Sequence, residues 1–361
     1  MSLNILSKTI TNSTGVHLIL LGIFLFVAII ISSGSGYINI NFADVFKIIA
    51  SKCTGNKDLL EGMNKIFSVI VFDVRLPRIL TAAIVGAGLS ISGAVFQGIL
   101  LNPLADPYTL GVSAGAAFGA SIAILFNINL FAFTVNSSCS VPVFAFTGAI
   151  ATLFFVIFLA SSNSSATRLG LSSNNLILSG IIVAAILSAG ISFLKYLADE
   201  QVSIIIFWLM GSFASSGWPD VQLTLLFVCA GFLISFFFAR DLNLMALGNR
   251  TASSLGVDTK KVTLALLVTA SLIAAVCVSV SGIIGFVGLL VPHMTRAVTG
   301  PDNRKLIPVS MMVGAILLLC ADTLTRAVLP SEIPIGVLTA LIGGPFFCYI
   351  FKKRQMSGTG I

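Results

Sequence analysis

Ten stretches of mostly apolar residues divide the chain, and each is about as long as a helix that crosses a lipid bilayer. A bilayer core needs about 20 such residues per helix. Of the 361 residues, 57% are hydrophobic and 9% are charged, whereas a soluble domain has roughly 25% charged residues. The chain is therefore predicted to be an all-α polytopic membrane protein with a single domain over residues 1–361. The ten predicted spans lie near 16–34, 79–100, 109–127, 142–160, 175–197, 219–239, 260–280, 283–299, 307–325 and 334–351.

The distribution of lysine and arginine predicts the orientation of these spans. With the N-terminus inside, 12 basic residues fall in inner segments and 8 in outer ones. Because cytoplasmic loops carry the excess of Lys and Arg, both termini are expected in the cytoplasm. The formal net charge of +7 is interpreted as this topology signal. No nucleic-acid partner is expected, since no basic run is interleaved with aromatic residues. The first apolar run also fits a secretory signal, although a retained helix is favoured.

The longest outer segment, about 36–77, is predicted to hold two short helices. The apolar residues that repeat at helical spacing are Phe42, Val45, Phe46 and Ile49 in one group, and Leu59, Met63, Ile66, Phe67 and Ile70 in the other. These helices would lie against the bundle or the membrane surface, or would only cap the outer mouth. Cys53 and Cys139 also fall in outer segments. A disulfide between them depends on their geometry, which the sequence leaves open.

Small residues recur every three or four positions in several spans, and two interpretations stay open for them. They allow close helix packing in lipid, where apolar burial gives no gain between helices, or they line a pathway. The packing stripes are Ala82, Gly86, Ser90 and Ala94 in the second span, Gly111, Gly115 and Gly119 in the third, and Gly336, Ala340 and Gly344 in the last. A small, hydroxyl-bearing face in the fifth span contains Ser179, Gly180, Ala184, Ser188 and Ser192.

The spans contain almost no ionisable residue and no catalytic set. Asp322 is placed near the outer end of the ninth span, where an i,i+4 ion pair with Arg326 is favoured over a proton relay. The run "GVSAG" from Gly111 matches a nucleophile motif but lies in a predicted membrane helix. No Gly-rich phosphate loop of the ATP-binding type occurs. His293 has no convergent ligands in sequence, so no metal or other cofactor is expected.

A short, mildly amphipathic segment, "LNLMALGNRTASSLGV" from Leu242 to Val257, separates the sixth and seventh spans on the inner side. It is too short and too polar to span a bilayer. Asn249 is predicted to cap a short helix, with Ala252 and Leu255 on one face and Gly256 in the left-handed conformation that ends it. Such a segment has several ordinary uses, of which partner docking is one.

Four stretches together closely resemble one family, the iron-chelate and vitamin B12 permeases of ABC importers. They are "RLPRILTAAIVGAGLSISGAVFQGILLNPLADPYTLGVSAGAAFGA" from Arg75, "MALGNRTASSLGV" from Met245, "SGIIGFVGLLVPHMTR" from Ser281, and "ADTLTRAVLPSEIPIGVLTALIGGPFF" from Ala321. The resemblance implies a ten-helix permease of the cell membrane in which helices 2–5 and 7–10 form inverted repeats. It also implies a homodimer, two cytosolic ABC ATPase subunits and an extracytoplasmic substrate-binding protein.

The resemblance assigns roles to individual residues. Arg75, Arg78 and Arg326 occupy the positions that receive acidic residues of the binding protein, although an interfacial anchor or a local partner such as Asp73 or Asp322 is the alternative. The fifth and tenth helices would line the path, which favours Ser179, Gly180, Ala184, Ser188, Gly336, Ala340 and Gly344 as lining residues. The inner segment, about 241–258, would couple to the ATPase through Met245, Leu247, Gly248, Asn249, Arg250, Ala252, Ser253, Leu255 and Gly256.

The resemblance therefore predicts a non-catalytic membrane subunit of an ATP-driven importer. A stand-alone ion-coupled carrier is the alternative, which the missing intramembrane charges disfavour; an intramembrane enzyme lacks a nucleophile with its base. The substrate stays open among a siderophore, haem, a corrinoid and an oxyanion such as molybdate. ATP hydrolysis is expected in a separate subunit, because this chain has no phosphate loop.

Overall fold

The computed structural model describes residues 2–36, 38, 40–56, 58, 63–128, 140–162, 172–327 and 332–356. Within these ranges the chain consists of helices and connecting turns, with no β-strand. The helices are α1 Ser2–Gly34, α2 Phe42–Thr54, α3 Lys65–Val69, α4 Leu76–Leu100, α5 Val112–Leu125, α6 Ser140–Ser162, α7 Ser173–Leu197, α8 Val202–Met210, α9 Trp218–Phe237, α10 Ala239–Met245, α11 Asn249–Ser254, α12 Thr259–Ser281, α13 Val287–Thr299, α14 Asn303–Ala327 and α15 Ile335–Met356.

Each of the ten predicted spans coincides with a helix, but the helices differ in length. Seven are long and apolar enough to cross a membrane: Thr14–Gly34, Ile66–Leu100, Ser140–Ser161, Ser173–Leu197, Trp218–Phe237, Thr259–Ser281 and Asn303–Ala327. Two shorter apolar helices are Val112–Leu125 and Ile335–Tyr349. The eighth predicted span begins only at Val287, since residues 282–286 are not helical. Its 13 residues give a helix about 20 Å long.

The small-residue stripe of α4 packs against neighbouring backbones. A Cβ atom on Gly86 would lie 2.2 Å from the carbonyl oxygen of Gly314 in α14, and one on Gly93 would lie 1.7 Å from that of Gly288 in α13. No side chain fits at such distances, so α4 approaches both helices through bare backbone. As a result α4 is buried along nearly its whole length. Packing, rather than a pathway, explains this stripe.

The stripe of α5 has the same explanation. A Cβ atom on Gly115 would lie 2.5 Å from the carbonyl oxygen of Gly148, and one on Gly119 would lie 2.1 Å from that of Phe144. Both contacts are with α6, which runs beside α5. The GxxxG spacing therefore holds two helices at close range, as is typical of helices in membranes.

Helices α5 and α13 begin in a similar way although they lie far apart in sequence. The residue before α5 is Gly111, with φ of 75°, and the residue before α13 is Phe286, with φ of 67°. Each start packs on a glycine of a later helix. Backbone atoms of Thr109 and Leu110 lie against Gly180 in α7, and the Phe286 side chain lies against Gly343 in α15.

Two predictions for the outer segment have different outcomes. The first helix, α2, is confirmed at Phe42–Thr54. The second is not a separate helix, because α3 continues through a π-helical turn, Ile70–Arg75, directly into α4. Pro77 does not interrupt this passage. It has no N–H to donate to the Phe72 carbonyl five residues earlier, and this carbonyl accepts from the Trp218 indole N–H at 3.1 Å instead.

Two predictions involve residues that the structure does not describe. Leu59 and Cys139 lie outside the described residues, and the Cys53 side chain is also not described, so the predicted disulfide stays a prediction. Helix α8 was not expected, because its nine residues are too few for a span. The turn after it is close to two other segments: the Gly211 carbonyl accepts from the amide of Ile335, and the Ser212 amide donates to the Ser281 carbonyl.

Candidate functional site

A buried ion-pair network joins α4 to the C-terminal end of α14. The Arg78 guanidinium donates to the Asp322 carboxylate at 2.9 Å and to the Glu332 carboxylate at 3.1 Å. The two carboxylates differ in environment, since the Asp322 side chain is 1% exposed and the Glu332 side chain 53%. Arg78 therefore has one fixed internal partner and one partner that water reaches.

The predicted pairing of Asp322 with Arg326 is wrong, because Asp322 pairs with Arg78 instead. Helices α4 and α14 run antiparallel and touch at Gly86 and Gly314. Arg78 precedes the first glycine by eight residues and Asp322 follows the second by eight, so the two side chains come to the same height. A contact between two helices thus replaces the expected contact within one.

Arg75 and Arg326 bind the C-terminal end of α1. Arg75 donates to the carbonyls of Ser33 and Gly34 at 2.9 and 3.2 Å. Arg326 donates to the carbonyls of Ser32 and Ser35, both at 2.7 Å. The last carbonyls of a helix lack partners within it and carry partial negative charge, so guanidinium groups stabilise this end.

The structure therefore brings the three predicted docking arginines into one cluster, with α1, α4 and α14 as its supports. Arg75 and Arg78 are buried, and each of the three already donates to groups of this chain. Beside Arg78 lies an open cavity of about 190 Å³, lined by Arg78, Phe207, Ser212, Phe213, Asp322, Thr325, Glu332, Ile333, Pro334 and Ile335. Among these arginines, only Arg78 holds a partner that an incoming carboxylate could replace without unfolding a helix end.

The inner segment forms two short helices, α10 and α11, with a buried and an exposed side. Met245 and Ala252 are buried in the chain itself, as are Leu242 and Val257. Leu247 and Leu255, by contrast, are 64% and 58% exposed. Two exposed leucines in a short segment between long apolar helices form a small apolar surface of the kind that a partner's groove buries.

A polar contact fixes this segment to α14. Asn243 in α10 donates to the Asp302 carboxylate at 2.6 Å and accepts from the Asn303 amide at 2.9 Å. The backbone N–H of Asn303 is at the start of α14, where helices have unsatisfied donors. Asn243 therefore caps α14, and displacement of α10 would displace α14 as well.

Three details of the segment were predicted, and two differ in the structure. Gly256 has φ of 90° and ends α11, as expected. Asn249 is not the N-cap residue, because Gly248 holds that position without a side-chain bond and Asn249 begins the helix. Ala252 and Leu255 do not share an environment, since Ala252 is buried and Leu255 exposed. Of the predicted docking residues, Met245 and Ala252 therefore support the segment, while Leu247, Asn249, Arg250, Ser253, Leu255 and Gly256 are exposed.

The residues predicted to line the path also include both buried and exposed positions. Ser179 and Gly180 are buried, and Gly180 is in contact with the backbone of Thr109 and Leu110. Gly336 is close to the carbonyls of Met210 and Ile283. The exposed members are Ser188 and Ala340, and Ala184 and Gly344 are half-buried. Packing thus explains Gly180 and Gly336, whereas Ser188 and Ala340 face outwards from this chain.

Two buried or paired acids, Glu332 and Asp106, were not singled out in the sequence analysis. Glu332 follows the predicted ninth span. Its ion pair with Arg78 becomes visible only in the folded chain. Asp106, in the turn before α5, accepts from the amides of Tyr108 and Thr109, both at 3.0 Å. Burial raises the pKa of Asp106 to about 6 despite these bonds. Its "DPYT" sequence, an acid followed by a turn, is the signal that could have identified it.

Comparison with known proteins gives matches over nearly the whole chain. The model of the FecCD transport family matches residues 6–353. A cobalamin import system permease protein from Halobacterium salinarum is 42% identical, over 82% of this chain and 76% of the relative. A molybdate import system permease protein from Haemophilus influenzae is 37% identical, over 94% and 96%. A solved structure described as an inward-facing metal-chelate type ABC transporter aligns with a TM-score of 0.77 and 35% identity, over 93% of this chain and 98% of that one.

The network around Arg78 predicts unequal effects of removing its two carboxylates. Asp322→Ala leaves a buried cation without its main partner and is expected to cost about 3–5 kcal/mol. Glu332→Ala removes a half-exposed partner and is expected to cost about 0–1 kcal/mol. Unfolding of the purified protein in detergent measures both. Equal losses would show that Asp322 is not the partner on which this region depends.

Proposed function

The chain belongs to the FecCD transport family, and we propose that it is the membrane-spanning permease subunit of an ATP-binding-cassette importer for a metal chelate, haem, a corrinoid or an oxyanion. Its relatives are named as importer permeases for ligands of these classes. The proposal includes a homodimer, two cytosolic ATPase subunits, a binding protein outside and a path that opens alternately to the two sides of the cell membrane.

The observation that carries this proposal is the inner segment α10–α11. Leu247 and Leu255 are exposed, while Met245 and Ala252 fix the segment to the bundle. The chain has no phosphate loop of its own. A rigid apolar projection on the inner face is what such a subunit needs to receive movement from a separate ATPase.

Ten membrane crossings, with both termini in the cytoplasm, are part of the proposal. In this arrangement α1, α4, α5, α6, α7, α9, α12, α13, α14 and α15 cross, and the arginine cluster and α10–α11 fall on opposite sides. The similar starts of α5 and α13 support an inverted repeat of helices 2–5 and 7–10. Each start packs on a glycine of the last helix of its own repeat, Gly180 or Gly343.

The path is proposed along the two-fold axis of the dimer, between α7 and α15 of the two copies. Ser188 in α7 and Ala340 in α15 are exposed on a single chain and are small. They line the path in this proposal, with Ala184 and Gly344 beside them. Gly180 and Gly336 hold the neighbouring backbone instead.

Docking of the binding protein is proposed at the outer arginine cluster. Glu332 is half exposed and binds Arg78 through a single pair of charges, so an acidic side chain of the binding protein can take its place. Arg75 and Arg326 then act mainly as supports that keep α1 against α4 and α14. Replacement of Glu332 by an acidic side chain of the binding protein would make docking more specific, and the charges would steer the two proteins together.

A carrier driven by an ion gradient is the weaker alternative. Asp322, the buried acid of α14, is paired with Arg78 and so is not free to exchange a proton or a cation. No observation on the described residues favours this function over the importer.

Reconstitution in liposomes tests the function as a whole. We expect uptake of one ligand among cobalamin, a ferric chelate, haem and molybdate to require ATP, the ATPase and the binding protein together, because the permease has no energy source of its own. Radiolabelled ligand inside the liposomes is the measurement. Uptake by the permease alone, driven by a proton or sodium gradient, would overturn the proposal.

Leu255→Asp tests the inner docking surface. Loss of one apolar anchor and gain of a charge are expected to weaken ATPase association about tenfold or more. Co-purification of the ATPase from detergent gives the affinity, and the amount of permease in the membrane reports on insertion. Val298→Asp is the matched control, since it also replaces an exposed apolar side chain by a carboxylate, at the end of α13. Equal affinity for the two variants would contradict docking at α11.

Glu332→Gln tests the exchange at Arg78. Removal of the internal competitor is expected to tighten docking of the binding protein by about one-and-a-half to fivefold, the value of a partly exposed ion pair. Equilibrium binding to the permease in nanodiscs measures this. Glu200→Gln, an exposed outer acid that precedes α8, is the control. If both variants leave the affinity unchanged, Glu332 does not compete for Arg78.

A further inference from the structure

An exposed apolar stripe runs along α1 to its outer end. Leu20, Phe24, Val27 and Ile31 are exposed and follow one another at three- or four-residue steps. Residues with this spacing share one face of a helix. In a helix long and apolar enough to cross a membrane, such a face is the one that meets lipid.

Helix α2 continues this stripe beyond the end of α1. The next position along the stripe is Gly34, and a Cβ atom there would lie 2.8 Å from the Phe42 ring. Phe42 therefore covers the end of α1 on its lipid-facing side. Phe46 follows one turn later on α2, and the two phenylalanines are 52% and 63% exposed.

Helix α2 has three distinct faces. Val45 and Ile48 are fully buried against the π-helical turn, in a small cluster with Val71. Phe42 and Phe46 form the exposed apolar face. Lys47 lies about 100° further round the helix from Phe46 and is exposed, so it belongs to a polar face. A helix with packed, apolar and polar faces suits the boundary between a protein, lipid and water.

A groove lies beside the same stripe, between α1 and α14. It has a volume of about 290 Å³ and is lined by Phe24, Val27, Ala28, Ile31, Ser32, Cys320, Thr323 and Leu324. Its two hydroxyl groups, on Ser32 and Thr323, bond to each other at 2.7 Å and so leave the lining apolar. Phe24 is ten residues before Gly34, so the groove extends about 15 Å below the outer end of α1.

We propose that α2 is an interfacial anchor, with Phe42 and Phe46 inserted into the outer leaflet and an acyl chain of that leaflet in the groove below. The occupant is lipid rather than another protein, because the apolar face of α2 is continuous with the lipid-facing stripe of α1. The anchor fixes α2, and through Val45 and Ile48 it fixes the π-helical turn that contains Arg75. This inference is independent of the substrate and of the energy source.

Fluorescence quenching by lipid tests this anchor. Phe46→Trp and Lys47→Trp place an indole on the apolar and on the polar face of the same helix. The full-length permease is placed in nanodiscs, without binding protein or ATPase, with lipids brominated in the upper part of the acyl chains. The emission of the added indole is obtained by subtracting the emission of the unsubstituted protein, which has only Trp208 and Trp218.

An indole inserted about 5–10 Å below the headgroups is expected to lose roughly half of its emission or more. We expect this loss for Phe46→Trp and little loss for Lys47→Trp. If neither indole is quenched, water, a second copy or another protein covers this face, and the proposal fails. Equal quenching of both would overturn the assignment of faces. Phe42→Trp gives the same comparison if Phe46→Trp does not assemble, as judged by size-exclusion chromatography.

Discussion

The close contacts of α4 with α14 and α13, through Gly86 and Gly314 and through Gly93 and Gly288, are the constraint on which the rest of the structure depends. Lipid offers helices no gain from hiding apolar side chains, so their association depends on close van der Waals contact of backbones. A side chain at Gly86, Gly93 or Gly314 would separate the helices. Because the backbones touch, residues at equal distances from the contact are held at equal heights. The positions of charged groups far from the glycines are thereby fixed as well.

The Arg78 network is the main consequence of this packing. A buried guanidinium is costly unless a carboxylate meets it with good geometry, and α14 supplies Asp322 at the right height. Since Asp322 compensates most of the charge, Glu332 is left as a weaker partner at the surface. A site that is stable without an external partner, and yet has one exchangeable position, can bind and release an acidic protein surface. Arg75 and Arg326 add rigidity, because they satisfy the end of α1.

Length and spacing were enough to predict a helix at each of the ten apolar runs, the glycine stripes and the left-handed Gly256, because these features depend on residues close together in sequence. The predictions that were wrong concerned contacts between segments that are far apart in sequence. Helical spacing puts Ala252 and Leu255 near each other, but only the neighbours of α11 decide that one is buried and the other exposed. Asp322 had a local candidate in Arg326, and the approach of α4 supplied a better partner. Glu332 and α8 left no periodic signal, since one is a single residue in a turn and the other is too short for a span.

Helix α14 connects the two proposed docking surfaces directly. It begins at Asn303, which Asn243 of α10 binds, and its outer end carries Asp322 and Arg326. Its 25 residues cover about 38 Å, close to the thickness of a bilayer with its headgroups. A helix of this length with both ends fixed transmits displacement with little loss, and its contact with Gly86 passes the displacement to α4. Movement of α10 by an ATPase would then shift Asp322 and Arg78 together, because the glycine contact keeps the two side chains at the same height. The same movement would carry Arg78 relative to Glu332, which lies outside α14, and so would couple the inner event to the outer surface through α14 and α4.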